Sequence, residues 1–115
     1  MNNEQEVDKL LTKTLLSIGV PVERLLFGGK ADSFITFQLI TKQETAFSDD
    51  DGAAIESFYR ANIFSKNDYT DLLHRTYSAL KEAGFYGITV NSEIYEHDTG
   101  FYHVPMDFYY TEMED

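Results

Sequence analysis

Apolar residues recur along the chain in two periods, and the switches between them divide it into elements. From residue 4 to 18, Val7, Leu10, Leu11, Thr14, Leu15 and Ile18 return every three or four positions. That spacing lays one apolar stripe along a helix, which Gly19 and Pro21 then stop. Val22–Phe27 reads as a short strand and Gly28–Asp32 as a turn. Ser33–Thr41 is β-branched and aromatic, with Ile35, Phe37 and Leu39 on one strand face. Lys42–Ala54 is polar, contains Asp49-Asp50-Asp51-Gly52, and reads as a loop. Ile55–Phe64 alternates again, with Ile55, Tyr59, Ala61 and Ile63 against Glu56, Arg60 and Asn62, as a half-buried strand does.

A second helix spans the stretch from Ser65 to Gly84. Ser65 or Asn67 is the expected cap, Asp68 and Asp71 lie near the positive end of its dipole and Lys81 near the negative end. Its inner stripe is Tyr69, Leu72, Leu73, Thr76, Tyr77 and Leu80, with Gly84 as the C-terminal cap and Phe85 folding back on the last turn. Two strands follow, Gly87–Tyr95 and Tyr102–Thr111. The order is therefore α-β-β-β-α-β-β. Two amphipathic helices bury their stripes most simply on one face of a sheet, so the pattern predicts an α+β fold. Its four- to five-stranded, mainly antiparallel sheet carries both helices on one side. The length of 115 residues suits one domain.

The last two strands form a hairpin. Ile88, Val90 and Ile94 on one strand and Tyr102, Val104, Met106, Phe108 and Tyr110 on the other share the core face if Ile94 stands opposite Val104. The turn is then Asp98-Thr99-Gly100, with glycine at the left-handed position. This register puts Tyr95, His97, Phe101 and His103 on the outer face. The two histidines become diagonal neighbours, roughly 7–8 Å apart. Glu96 and Asp98 point the other way, so a third zinc ligand is missing. Phe34, Phe58, Phe64, Phe101 and Tyr109 all fall opposite the core positions, and such rings mark an interaction surface unless a second layer or the acidic loop covers them.

Composition removes several chemistries. No cysteine is present, which excludes a disulfide scaffold, a thiolate zinc site and a cysteine nucleophile. No stretch approaches the roughly 18 apolar residues of a membrane helix. The polar N-terminus does not resemble a signal peptide. A formal net charge of −11 repels phosphate backbones, so nucleic-acid binding is not expected, whereas a basic partner is favoured. The acidic run fails as a calcium loop. With Gly52 at loop position six, Asp49 and Asp51 fit, but Phe47 and Phe58 occupy the two ends that must ligate. His74 has Thr70 and Ser78 one turn away, so no two-histidine zinc motif exists. Gly28-Gly29-Lys30 lacks the spacing of a phosphate-binding loop, and no serine sits in a nucleophile elbow. No enzyme and no cofactor are expected.

Several stretches together resemble the tail-completion, or tail-terminator, proteins of long-tailed phages and prophages. They are "ADSFITFQ" (31–38), "AFSDDDG" (46–52), "IFSKNDYTDLL" (63–73), "KEAGF" (81–85) and "YEHDTGFYHVPMDFYY" (95–110). They cover nearly all of the chain past residue 30. Phe64 stands where the pattern usually has tryptophan, and Asp107 where a basic residue is common. The resemblance implies a non-catalytic α/β subunit of a ring, commonly a hexamer. Such a ring caps the tail tube and joins it to the head connector, so its partners would be other copies, the tail-tube protein and the head-completion protein. Its place would be the head–tail junction of the virion, after assembly in the host cytoplasm. On this view Phe34, Phe58, Phe64, Phe101, Tyr109 and the run Asp49, Asp50, Asp51 are the interface candidates. The competing expectations are an acidic protein-binding module or inhibitor of the DNA-mimic type, and a small metal-dependent enzyme using Asp49–Asp51 with His97 and His103.

Overall fold

The computed structural model describes residues 3–46 and 53–113. Helix α1 spans Asn3–Leu16 and helix α2 Thr70–Glu82; the strands are β1 (Val22–Arg24), β2 (Ser33–Ala46), β3 (Ala53–Ser65), β4 (Tyr86–Val90), β5 (Ile94–Glu96) and β6 (Phe101–Met113). They make one six-stranded sheet in the order β1-β2-β3-β6-β4, with β5 also paired to β6. The fold is α+β as expected, but with more strands, because the predicted strand 87–95 is broken in two. It is also mixed, because β1 runs parallel to β2.

The apolar stripe of α1 is buried at Val7, Leu11, Leu15 and Ile18. The helix stops two residues before the predicted end. There the Ile18 and Gly19 amides bond back three residues, to the Leu15 and Leu16 carbonyls, and tighten the last turn. In α2, Leu72, Thr76 and Leu80 are buried, Leu73 and Tyr69 pack against the core only in part, and Tyr77 is exposed, contrary to expectation. Both helices and the inner positions of β2, β3 and β6 share one core: Ile35 and Phe37, then Tyr59, Ala61 and Ile63, then Val104, Met106 and Phe108. The helices therefore cover one face of the sheet. Arg75 Nη1 donates to the Ile18 carbonyl and ties one helix to the end of the other.

Neither Ser65 nor Asn67 caps α2. Tyr69 occupies the cap position without a side-chain bond, and the Asp68 carboxylate instead accepts from the Thr70 amide at 2.9 Å. Ser65 is consumed by the sheet, where its hydroxyl meets that of Ser33 at 3.0 Å and accepts from the Asn67 amide. The C-terminal end behaves as read. Gly84 is left-handed at φ 103°, its amide bonds the Lys81 carbonyl, and the Phe85 amide bonds Leu80. These are the two bonds of a Schellman ending.

The polar stretch after Thr41 is strand rather than loop as far as Ala46, paired with Ala53–Phe58 of β3. The alternation of a strand is hidden there because both faces of this part of β2 are polar, with Lys42 and Glu44 on one and Gln43 and Thr45 on the other. A bulge between Leu39 and Thr41 leaves Ile40 without a partner. The remaining acidic run, Asp49–Asp51, lies outside the described residues. These long strands stretch the molecule to 51 × 26 × 23 Å.

The hairpin register differs from the predicted one by one residue. Ile94 stands opposite His103, Tyr95 opposite Tyr102 and Glu96 opposite Phe101. The turn uses His97 through Gly100, with the Gly100 amide bonded to the Glu96 carbonyl and Gly100 left-handed at φ 79° as anticipated. One extra turn residue slides the strand by one and reverses its faces. Val90, by contrast, stands opposite Met106, in the predicted face relation. The break at Asn91–Glu93 absorbs the slip. Val104, Met106 and Phe108 are buried; the slip exposes Ile94, and Val90, although opposite Met106, is exposed on the edge strand β4.

Candidate functional site

On the face away from the helices, the alternation of β2, β3 and β6 sets aromatic rings in rows across the sheet. Phe34, Phe64 and His103 form one row. The Phe34 and Phe64 rings stack at 4.6 Å and the Phe64 and His103 rings at 4.3 Å, and Phe101 meets Phe34 edge-on at 5.3 Å. Phe58 and Tyr109 form a second row, stacked at 4.7 Å, and Tyr86 adds a ring 5.8 Å from Tyr109. All five predicted aromatic candidates, Phe34, Phe58, Phe64, Phe101 and Tyr109, lie on this face and are half-buried.

A polar belt separates the rows. Arg60 donates twice to Asp107, at 2.7 and 2.9 Å, and Asn91 donates to the same carboxylate at 3.1 Å. The Arg60 guanidinium holds the Asp107 carboxyl below its ordinary range. The Asn62 amide nitrogen donates to Thr36, and its oxygen lies 2.8 Å from His103 Nε2. Burial under the rings pushes the His103 pKa down, only partly opposed by the Glu96 carboxylate 3.6 Å from Nδ1. Through the slipped register Glu96 faces the same side as His103, the opposite of what the sequence reading had placed there. Tyr95 turns inward onto Tyr102, with ring centroids 5.0 Å apart. His97 sits in the turn against Tyr95 rather than beside His103.

The sequence reading missed Phe27. It sits in the β1–β2 connection and stacks on Phe34 at 4.3 Å, so that connection covers one corner of the face. Its signal was a ring directly before Gly28-Gly29, where the chain can bend back. Phe27, Lys30, Phe34, Lys66 and Phe101 line a cleft of about 350 Å³, with Lys66 Nζ 5.1 Å over the Phe101 ring. His74 is exposed on α2. Among the described residues, no three His, Cys, Asp or Glu side chains come together as a metal site. The arrangement offers rigid, stacked, half-covered rings around a bidentate ion pair, which suits recognition of another surface.

No protein-family model matches the chain, and no curated protein matches it. Its fold does have a counterpart among solved structures. The chain resembles a protein in the virion of a native gene transfer agent particle. The two share 11% identity with a TM-score of 0.54, over 90% of this chain and 92% of the other. Agreement over almost the full length of both shows that the arrangement of α1, the sheet and α2 is shared.

Proposed function

We propose that this protein is a structural subunit of a phage-type tail, the terminator that closes into a ring on the finished tube and joins it to the head. The observation that carries the reading is the aromatic face of β2, β3 and β6: Phe34, Phe64 and Phe101 at one end, Phe58 and Tyr109 at the other. Half-covered stacked rings gain by contact with a partner, and among the described residues no helix lies on that side of the sheet. A fold shared with a virion chain and the sequence resemblance to tail terminators support the same reading. The partners are further copies, the tail-tube protein and a head-completion protein, met at the head–tail junction after assembly in the host cytoplasm. The work is binding and not catalysis. An acid-spacing mimic of DNA is less well supported, because Asp8, Asp71 and Asp107 are each tied to an arginine on the protein itself.

Deletion of the gene in its phage is the test. The expected particles are full heads beside unattached tails, many of them overlong. Tails of normal length joined to heads would overturn the proposal.

A further inference from the structure

The connection between β1 and β2 lies over one corner of the aromatic face as a strap with few attachments. At its start the Leu25 amide donates to the Phe37 carbonyl, and at its end the Asp32 carbonyl accepts from the Lys66 amide, each at 2.8 Å. Between these anchors, residues 27–31 make no backbone–backbone hydrogen bond to another described residue. Leu25 and Leu26 are 60% and 81% exposed, and Gly28, Gly29 and Lys30 are exposed as well. Lifting the strap therefore gives up little beyond one contact, the stack of Phe27 on Phe34.

Two local features bear on the closed position. The Leu26 amide donates to the Arg24 carbonyl at 2.8 Å around Leu25, whose φ is 69°. This is the strained sense of the three-residue turn, and Leu25 is the sole non-glycine residue with positive φ among the described residues. Glycine would adopt the conformation at lower cost. Further along, a Cβ added at Gly29 would lie 2.9 Å from Cζ of Phe27, so the ring rests on the backbone where only glycine leaves it room. The chain thus carries strain at the root of the strap and a close fit under its ring.

From these features we infer that the strap is an autoinhibitory cover: Phe27 holds the place on Phe34 that a partner's side chain takes, and the strap lifts when the aromatic face is occupied. The inference rests on the interface reading above and adds its regulation. For Phe34 to meet a partner its outer side must be bare, and in the free chain Phe27 stacks there at 4.3 Å. Lifting the strap lets Leu25 leave its left-handed conformation. It leaves the sheet intact, because the anchors at Leu25 and Asp32 lie at the strap's two ends. The partner must supply the stacking that Phe27 gives up, so the cover restrains association until a matching surface arrives.

The chain contains no tryptophan, so Phe27→Trp gives a single emission that reports on the strap. Two substitutions bias it in opposite senses without removing a ring. Gly29→Ala pushes the ring off its seat, and Leu25→Gly relaxes the closed turn. In the full chain, Phe27→Trp alone and with Leu25→Gly should emit at the short wavelength of a stacked indole, and with Gly29→Ala the emission should shift red. Binding to tail tubes from the deletion phage is measured with Phe27 kept. Gly29→Ala should bind more tightly than the unsubstituted chain, and Leu25→Gly more weakly, by roughly fivefold. Emission already red without Gly29→Ala, or unmoved by it, would overturn the cover. Equal tube binding by all three proteins, or the reverse order, would reject the cover and keep the tail role. The expected emission shift with no tube binding by any protein would reject the tail role and keep the cover.

Discussion

Tyr59 shows how single residues hold the two layers together. Its ring is fully buried, and its hydroxyl donates to Asp8 Oδ1 on α1 at 2.5 Å, while the other oxygen of that carboxylate accepts from Arg24 at 2.8 Å. Burial, with the Asp8 bond second, raises the Tyr59 pKa far above the ordinary phenol value. Tyr59→Phe keeps the packing but leaves the carboxylate one donor short. Because Asp8 retains some solvent, the expected loss is near the lower end of the roughly 1–3 kcal/mol for an unmet buried group; urea denaturation measures it. His103 gives a pH signature. Its folded pKa lies below its ordinary 6.5, so the folded ring stays neutral while the unfolded chain takes up a proton. This contribution is intact above pH 6.5 and is lost as pH falls through 6.5 towards the lower folded value. His103→Gln should flatten that part of the stability profile in melts between neutral and mildly acidic pH. Asp107, held low by Arg60, acts in a separate window: its contribution is present above the ordinary 3.8 and disappears as pH falls through the still lower folded value.

At the level of elements, α2 depends on its buried stripe and on its ending. Leu80 is fully buried, whereas Leu73, equally placed by periodicity alone, is only half-buried. Leu80→Ala is expected to cost about 2–5 kcal/mol by opening a cavity. Gly84→Ala forces a side chain into the left-handed region, with its Cβ 3.4 Å from the Tyr110 ring. A loss of roughly 1–2 kcal/mol is expected, read from the urea midpoint. The hairpin of β5 and β6 teaches a different lesson. Its left-handed glycine was legible, because Asp98-Thr99-Gly100 carries the chemistry of a tight turn. The turn's length was not. A three-residue and a four-residue turn use the same residues, and the backbone bond from Gly100 to Glu96 decides between them. That single choice exposed Ile94, turned Tyr95 inward and brought Glu96 beside His103.

For the whole molecule, net charge and shape act together. Each copy carries −11, so assembly of copies into a ring gathers like charge and long-range repulsion opposes it. Screening shortens that repulsion, with the Debye length falling from about 8 Å at physiological salt to roughly 3 Å near 1 M. Association is therefore expected to strengthen as salt rises, read as native mass at several salt concentrations. Association that weakens steadily with salt would overturn this expectation.

The sequence by itself determined the elements that rest on local periodicity and end signals: the stripe of α1, the core of α2 and its glycine ending, the alternation of β3, and the buried set Val104, Met106 and Phe108. It also placed Phe34, Phe58, Phe64, Phe101 and Tyr109 on the outer face, because strand alternation is a property of the backbone alone. Only the tertiary structure decided what depends on pairing between distant segments. It made Lys42–Ala46 a strand, since a polar stretch becomes one when a long partner offers it hydrogen bonds. It set β1 parallel to β2, laid Phe27 over Phe34, and fixed the hairpin one residue from the expected register. Ile94 and Tyr95 point to opposite faces, so either register turns one of them inward; the pattern imposed little preference, and the turn's hydrogen bonds settled the register.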